Sequence, residues 1–203
     1  MVNLNLALIE QALKDEMADQ IKNKVWPWVR EIKTYGGEFD DDTLSFIKTF
    51  PAIWVSFVSS GTPTKISYNK TEYPITFVVL VGAQSVRNEE ARRHGAGSDI
   101  GTFSMLDLVQ RLLIGNDLSS QGIKGLASLE LGKTKTIFNT KVRSQSLSVL
   151  SQEFTTQYTI IASNRDREEQ ETETTIERIN FDYVFEQHEE PVASDLVELK
   201  EGN

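Results

Sequence analysis

The residues of this chain that could do hydrolytic chemistry lie between positions 31 and 42. Glu31 and Lys33 have the spacing of the carboxylate–lysine pair of some metal-dependent nucleases, and Glu38 with the aspartates at 40–42 could add ligands for Mg²⁺ or Ca²⁺. That chemistry needs a further acid on an adjoining strand, and nothing in the sequence marks one. Glu31 and Lys33 are better interpreted as an exposed ion pair on an edge strand. The acids at 38–42 fit the start of a helix, where negative charge is favoured.

The other candidate motifs do not meet the requirements of a catalytic or cofactor site. Residues 94–101 bring three glycines to the start of a helix, but their spacing is GxGxxxG and no Lys-Ser/Thr pair ends it. A loop that leads to a capped helix is therefore favoured over a phosphate site. His94 and His188 lack the spacing of zinc ligands, and the serines at 59 and 60 are not in a Gly-x-Ser-x-Gly elbow. We expect no catalytic residue, no cofactor and no metal.

Composition favours a soluble protein that is made, and kept or assembled, in the cytoplasm. The 203 residues include no cysteine, which excludes thiol catalysis, disulfides and thiolate metal sites. No apolar run approaches the roughly 20 residues that span a bilayer, and the first residues do not resemble a signal peptide. The net charge of −9 is uneven, because residues 1–164 carry 17 basic and 17 acidic side chains whereas residues 165–203 carry 4 and 13. A neutral body with an acidic extension is predicted.

Two apolar runs form the predicted centre of the body. Residues 51–58 and 74–81 are rich in β-branched and aromatic side chains and are too short for buried helices, so they are predicted to be strands. The mostly polar connection at 59–73 is too short to hold a crossover helix easily. An antiparallel pair is therefore the simplest interpretation.

Other predicted elements surround this pair. Apolar residues at helical spacing predict amphipathic helices over 3–22 and 100–114, the second capped by Ser98 or Asp99, and a short helix within 38–50. Strands are predicted over 25–35, where Pro27 indicates an edge position or a delayed start, and over 123–131, 138–150 and 154–162. The predicted fold class is α+β, with an antiparallel or mixed β-sheet packed by two main amphipathic helices and followed by a C-terminal extension.

We divide the chain into an α+β domain of residues 1–163 and an acidic extension of residues 164–203. The extension begins with a charged linker and holds one predicted strand at about 176–186. Residues from 186 onward are acidic and are expected to be mobile. Two alternatives remain open for the strand, which either folds back on its own domain or is exchanged and adds to a neighbouring subunit's sheet. Its apolar face consists of Ile179, Phe181, Tyr183 and Phe185.

Long polar segments are the predicted interaction sites of the body. The loop at 83–98 exceeds the usual limit of about 12 residues, and it carries Arg87, Arg92 and Arg93 beside two glutamates. A solvated loop is the default interpretation, and contact with an acidic partner surface or with DNA is the alternative. The connection at 59–73 carries Lys65 and Tyr68. Together with the apolar face of the extension strand, these five residues are the interface candidates.

Six segments in a fixed order resemble a known family. They are the helix around 9–18 and the sequences YGGEF at 35–39, FPAIWVSF at 50–57, FVVLVGA at 77–83, SVRNEEARR at 85–93 and GTFSMLDLVQRLLIG at 101–115. Their order and pattern resemble the tail terminator or tail completion proteins of Mu-like contractile-tailed bacteriophages. The resemblance covers about residues 4–162, so the extension lies outside it.

The resemblance implies a structural virion protein without a catalytic residue. It implies a homo-oligomer, a hexameric ring, that caps the head-proximal end of the phage tail, ends tail-tube polymerisation and forms the tail-to-neck interface. The implied partners are tail-tube subunits and a neck or connector protein. Contact with sheath subunits and non-specific contact with channel DNA stay open, and no membrane partner is implied. Such a protein would be assembled in the host cytoplasm and located in the virion.

Two functions from other classes remain as alternatives. One is a metal-dependent nuclease or phosphoesterase that uses Glu31, Lys33 and Glu38. The other is a regulatory binding module that uses the acidic extension.

Overall fold

The computed structural model describes residues 4–37, 49–84, 93–96, 99–137, 147–162, 178–183 and 193–198. The chain divides into two compact units, Met1–Ile161 and Ala162–Asn203. We use the names body and extension for these two units and describe each by itself.

The body is built on a six-stranded mixed sheet. Its strands in spatial order are the first, second, fourth, eighth and seventh of the chain, with the third paired to the fourth, and only the first pair is parallel. The predicted α+β class with an antiparallel or mixed sheet is confirmed. In chain order the strands of the body are β1 (Glu31–Thr34), β2 (Ala52–Ser60), β3 (Thr64–Lys65), β4 (Lys70–Gln84), β5 (Gly95–Ala96), β6 (Asp99–Ile100), β7 (Glu130–Thr136) and β8 (Leu147–Ile161).

The predicted central pair is confirmed as β2 and β4. The two strands are antiparallel, with Ala52 opposite Gly82 and Phe57 opposite Phe77. A register shift between Phe57 and Ser59 interrupts the ladder where the strands leave the core. On its other side, β4 pairs with β8 along fifteen consecutive residues, from Lys70 opposite Ile161 to Gln84 opposite Leu147.

Two helices pack on one face of this sheet. Helix α1 is Leu6–Lys22 and begins at Asn5, whose side chain accepts a hydrogen bond from the Leu8 N–H. Helix α2 is Thr102–Leu113. The periodicity of both segments therefore predicted the two main helices correctly. Their buried side chains join those of the strands in the main core, which includes Ile9, Leu13, Met17, Ile53, Val55, Phe77, Val79, Met105, Val109, Leu113 and Phe154.

A smaller apolar cluster lies on the opposite face of the sheet. It contains Trp54 and Leu80, with Val149 from the neighbouring strand and the ring of Phe50 packed edge-on against Trp54 at 5.9 Å between centroids. A Cβ atom at Gly82 would meet both of these rings at 2.9–3.0 Å. Glycine at this position therefore allows the two aromatic rings to approach the backbone of β4 closely.

Three sequence-based expectations for the body are wrong in detail. Strand β1 starts at Glu31 rather than 25, consistent with the delay expected from Pro27, and it lies at the sheet edge as predicted. Residues 123–129 form only an isolated bridge at Leu126, and the strand begins at Glu130, because Gly122 and Gly125 have positive φ and turn the chain. The two strands predicted at 138–150 and 154–162 are one continuous strand from Leu147. Residues 38–48, 85–92, 97–98 and 138–146 lie outside the described part of the chain.

The start of α2 also differs from the prediction. Its N-cap is Gly101 and makes no side-chain cap hydrogen bond, so the predicted cap at Ser98 or Asp99 is wrong. The reason is a short ladder in which Gly95 lies opposite Ile100 and Ala96 opposite Asp99. A Cβ atom at Gly101 would lie 2.2 Å from the carbonyl oxygen of Arg93. The close approach of these two backbones therefore fixes how the chain enters α2.

We expect Gly101→Ala to destabilise the body by about 2 kcal/mol or more, because the new methyl group would displace the backbone at Arg93 and Gly95. The φ of Gly101 is −91°, which alanine adopts readily, so the steric clash is the only cause. Urea unfolding measures the loss. Ser104→Ala on the exposed side of α2 is the control, and an equal loss in the control would contradict this explanation.

Glu16 connects α1 to the turn that follows α2. Its carboxylate accepts hydrogen bonds from Ser120 Oγ at 2.6 Å, Gln121 Nε2 at 2.9 Å and Asn116 Nδ2 at 3.1 Å. Burial raises the pKa of Glu16, but the hydrogen bonds from Ser120, Gln121 and Asn116 outweigh it, so the pKa lies below its ordinary value. The carboxylate is therefore held in its ionised form.

We expect Glu16→Gln to lower the free energy of unfolding by about 1 kcal/mol at pH 7, since the carboxylate stays partly solvated and its hydrogen bonds are screened. A depressed pKa stabilises the fold above the unfolded-state pKa, and this contribution is lost as pH falls through the folded-state pKa. The difference between wild type and variant should shrink when urea unfolding is repeated below pH 4. Asp107→Asn, which removes an exposed ion pair with Arg111, is the control and should change stability by less than about 0.5 kcal/mol.

The described part of the extension is a β-hairpin. Strand β9 (Arg178–Tyr183) pairs antiparallel with β10 (Ala193–Glu198), with Phe181 opposite Asp195. The strand predicted at about 176–186 is present, but the expectation of a mobile segment after 186 is wrong for residues 193–198. Leu196 and Val197 give that acidic segment enough β-forming character to pair with β9.

None of the helices in the described ranges is long and apolar enough to span a bilayer.

Candidate assembly interface

Five of the ten exposed large apolar side chains in the described part of the body lie where the central strands extend past the core. We call this part the distal arm and define it as residues 58–73 together with 159–161. The buried residues of β4 begin only at Ile75, although the strand and its ladder with β8 begin at Lys70. The strand therefore continues about 15 Å beyond the core, at roughly 3.3 Å per residue.

The distal arm carries apolar side chains on both of its faces. Ile160 and Ile161 are adjacent on β8 and therefore point to opposite faces, and they are 43% and 52% exposed. Ile66 and Tyr68 lie in the turn between β3 and β4, which we call the hairpin tip, and are each 56% exposed, and Val58 is 49% exposed. A protruding arm that worked alone in water would be polar on both faces. Several large exposed apolar side chains in one part of a protein surface indicate a candidate protein interaction site.

The base of the distal arm is rigid. The rings of Tyr73 and Tyr158 lie edge to face across β4 and β8, with centroids 5.7 Å apart and an interplanar angle of 87°. Burial, followed by the proximity of Tyr73, raises the pKa of Tyr158, so its hydroxyl stays protonated. On the opposite face, Gln157 Nε2 donates to Glu72 Oε1 at 2.9 Å. Pairs on both faces thus hold the two long strands together where they leave the core.

The hairpin tip brings together two of the predicted interface residues. The ammonium group of Lys65 lies 5.8 Å from the centre of the Tyr68 ring, within the range of a cation–π contact. The N–H groups of Ile66 and Ser67 both donate to the carbonyl oxygen of Lys70, which closes the turn. The tip therefore presents an ordered pair of one aromatic and one basic side chain.

The remaining predicted interface residues are not brought to this tip. Arg87, Arg92 and Phe185 lie outside the described residues. Arg93 is half-buried, and its carbonyl oxygen lies beside Gly101 at the start of α2, in the segment that follows the other end of β4. Ile179, Phe181 and Tyr183 lie in β9.

The apolar residues that β8 and the end of β2 contribute to the arm were not predicted from the sequence. Ile160 and Ile161 follow one another at the end of β8, directly after the alternating segment Gln157-Tyr158-Thr159. Two consecutive apolar residues cannot both face the core of a two-layer fold. That break in alternation was the available signal for a surface patch.

The candidate hydrolytic residues form a closed ion pair. Lys33 Nζ lies 2.6 Å from Glu31 Oε1, and Thr49 Oγ1 donates to Glu31 Oε2 at 2.9 Å. The contact with Lys33 is the main reason that the pKa of Glu31 lies below its ordinary value. Both carboxylate oxygens are thus occupied by this protein's own groups, and the expected edge-strand ion pair is confirmed. Glu38 lies outside the described residues, among which no cluster of three or more potential metal ligands is found.

The fold and the distal arm define the class of this molecule, a small α+β protein with several exposed apolar side chains. The sequence model of the family described as Bacteriophage Mu, Gp37 matches residues 7–159. The chain belongs to the Bacteriophage Mu Gp37 family, and the predicted relation to Mu-like phage tail proteins is confirmed. It is a structural virion protein of this phage type.

One chain of the structure titled "Virion of native gene transfer agent (GTA) particle" aligns with a TM-score of 0.47 and 12% sequence identity. The alignment covers 77% of this chain and 100% of that chain. No curated protein matches this chain.

Proposed function

We propose that this protein is a tail terminator. In this proposal, copies of the chain form a hexameric ring that caps the head-proximal end of the tail tube, ends its polymerisation and forms the tail-to-neck interface. The ring contacts tail-tube subunits on one side and a neck or connector protein on the other. Sheath subunits and channel DNA are further candidate contacts.

The distal arm is the observation that carries this proposal. Membership in a Mu-like phage family supports an assembly role, and the arm offers surface that a lone subunit leaves in water. Five large apolar side chains of the arm are 43–56% exposed, and covering them with a neighbouring protein is favourable at about 25 cal/mol for each Å² removed from water. Covering these side chains would therefore stabilise an assembled form relative to the free chain.

The geometry of the body is compatible with a closed ring. A ring requires two different surfaces on each subunit, because every contact in it is head to tail. The distal arm lies beyond one end of β4, and the chain leaves the other end at Gln84. The two ends of the same strand are about 50 Å apart at 3.4 Å per residue, so different neighbours can contact them at the same time.

Light scattering coupled to gel filtration, followed by electron microscopy of the purified full chain, tests this proposal. The expected particle is a closed ring with the mass of six 22.9 kDa chains. Antibody labelling of assembled tails should place the protein at the head-proximal end. A chain that stays monomeric at every concentration and never labels tail ends would contradict the proposal.

A further inference from the structure

We propose that a bulge in β7 keeps this edge of the sheet from pairing with further strands, and that the buried side chain of Gln152 holds the bulge in place. Strands β1 and β7 end the spatial order of the sheet, and β7 is the longer, with seven residues against four. A long regular edge is a template for unwanted strand pairing. The inference concerns a surface that assembly avoids, so it does not depend on the proposed ring.

The bulge lies in the middle of β7. The ladder with β8 shifts register between Leu131 and Thr134. Gly132 and Lys133 of β7 therefore lie opposite the single residue Glu153 of β8, which is a β-bulge. A Cβ atom at position 132 would lie 3.0 Å from the Cβ atom and 3.2 Å from the carbonyl oxygen of Glu153. The absence of a side chain there lets the bulged strand approach β8 closely.

The bulge breaks the spacing of the main-chain groups that point away from the sheet. Strand β8 pairs with β4 without a register shift, so its main-chain groups alternate regularly between its two neighbours. The Ile137 N–H donates to the Val149 carbonyl oxygen. Followed along the ladder, this alternation turns the main-chain groups of Leu131, Thr134 and Thr136 outward. A regular strand presents such groups at every second residue, so an added strand cannot stay in register with both halves of β7.

The side chain of Gln152 fixes the bulge from the helix-covered face of the sheet. It is 1% exposed. Its Nε2 atom donates to the carbonyl oxygens of Gly132 at 3.1 Å and Glu153 at 2.8 Å. Its Oε1 atom accepts from Thr134 Oγ1 at 2.5 Å and from Gln110 Nε2 at 2.7 Å. The buried amide thus makes all of its hydrogen bonds, and they tie the two sides of the bulge to each other and to α2.

The side chains of β7 also oppose strand addition. Lys133 is exposed within the bulge and has no ion pair in the described ranges, and an exposed lysine on an edge strand disfavours pairing. Six of the seven residues of β7 are exposed, and Leu131 is the only large apolar residue of the strand. An edge that served as an acceptor for a partner strand would present a regular run of outward groups and more apolar surface.

Hydrogen exchange in the full-length wild-type protein, in whatever oligomeric form it takes, is the first test. The N–H groups of Thr134 and Thr136 should exchange like exposed amides. The Ile137 N–H, which is bonded to the Val149 carbonyl, is the internal control and should exchange at least about tenfold more slowly. Protection of Thr134 and Thr136 in wild type would show that this edge is paired and would overturn the inference.

Deletion of Lys133 is the second test, because it restores the two-residue spacing along β7. The variant should pair with a second copy through this edge and show at least about twice the wild-type mass in light scattering at the same concentration. Exchange at Thr134 and Thr136 should slow by at least about tenfold. Lys133→Thr is the matched control. It removes the same charge but keeps the bulge, so its mass and exchange should equal those of wild type.

Gln152→Met tests the clamp and replaces the deletion variant if that variant does not fold. The side chain keeps a similar size but loses the hydrogen bonds, so the bulge can move to the end of β7 and leave a longer regular edge. The mass should then also exceed that of wild type. A wild-type mass in either variant when folded, or an equal gain in mass in Lys133→Thr, would overturn the inference.

Discussion

Ile66→Asp combined with Tyr68→Asp is expected to abolish ring assembly while the body remains folded. Both side chains lie at the tip of the distal arm and are more than half exposed, so the substitutions should change the free energy of unfolding by no more than about 0.5 kcal/mol each. In an assembled interface each would bury an unpaired carboxylate. If both positions are interface hot spots worth about 2 kcal/mol, association weakens by about a thousandfold.

The matched control is Val25→Asp combined with Ile114→Asp. These residues are 59% and 53% exposed, so the substitutions remove similar apolar area and add the same charge outside the arm. Light scattering should give rings for wild type and control and monomers for the arm variant, with thermal unfolding confirming that all three are folded. Rings from the arm variant, or their loss in the control as well, would show that the arm is not the interface.

Phe77→Ala is expected to cost about 3–5 kcal/mol, the largest stability loss that we predict. The side chain is fully buried on the helix-covered face of β4, lies directly opposite Phe154 and contacts Phe57 edge-on at 5.8 Å between ring centroids. Its removal leaves a cavity at the centre of the main core, bounded by strands that cannot collapse easily. Urea unfolding of the full chain measures the loss.

Val78→Ala is the neighbouring control for the Phe77 prediction. Val78 is half-buried and points to the opposite face of the same strand, where the apolar cluster is smaller. We expect a cost of about 1 kcal/mol, because less volume is removed and water reaches part of the site. Equal losses at the two positions would mean that both faces of the sheet contribute equally to stability. That result would contradict the difference in size between the main core and the smaller apolar cluster.

The elements that depend on local pattern could be predicted from the sequence. Helices α1 and α2 follow from apolar residues at helical spacing, and the β2–β4 pair follows from two short apolar runs joined by a connection that holds no helix. Which strands lie next to each other in the sheet was harder to predict. The position of β7 beside β8, and the continuity of β8 from Leu147, depend on pairing with β4. Ser151 and Gln152 look like a break in the sequence but are buried within the ladder.

The candidate interface was only partly predictable. Lys65 and Tyr68 were identified because they lie on the polar connection between the central strands. The contributions of Val58, Ile160 and Ile161 depend on how far the strands extend past the core. The alternation of apolar and polar residues along a strand does not show where the core ends. The cap of α2 was missed for a similar reason. Gly101 is required by the approach of Arg93, a contact between segments that no local rule for helix starts includes.

The unbroken ladder between β4 and β8 also has a mechanical consequence. The ladder runs through the distal arm and the core without a register shift, whereas β2 is interrupted between Phe57 and Ser59. A pull on the arm along the strands therefore loads many hydrogen bonds in shear at once instead of opening them one after another. Under such a load we expect the arm and the sheet to move together as one rigid unit. In the proposed ring, tension applied to the arm would therefore reach the core of the same chain directly.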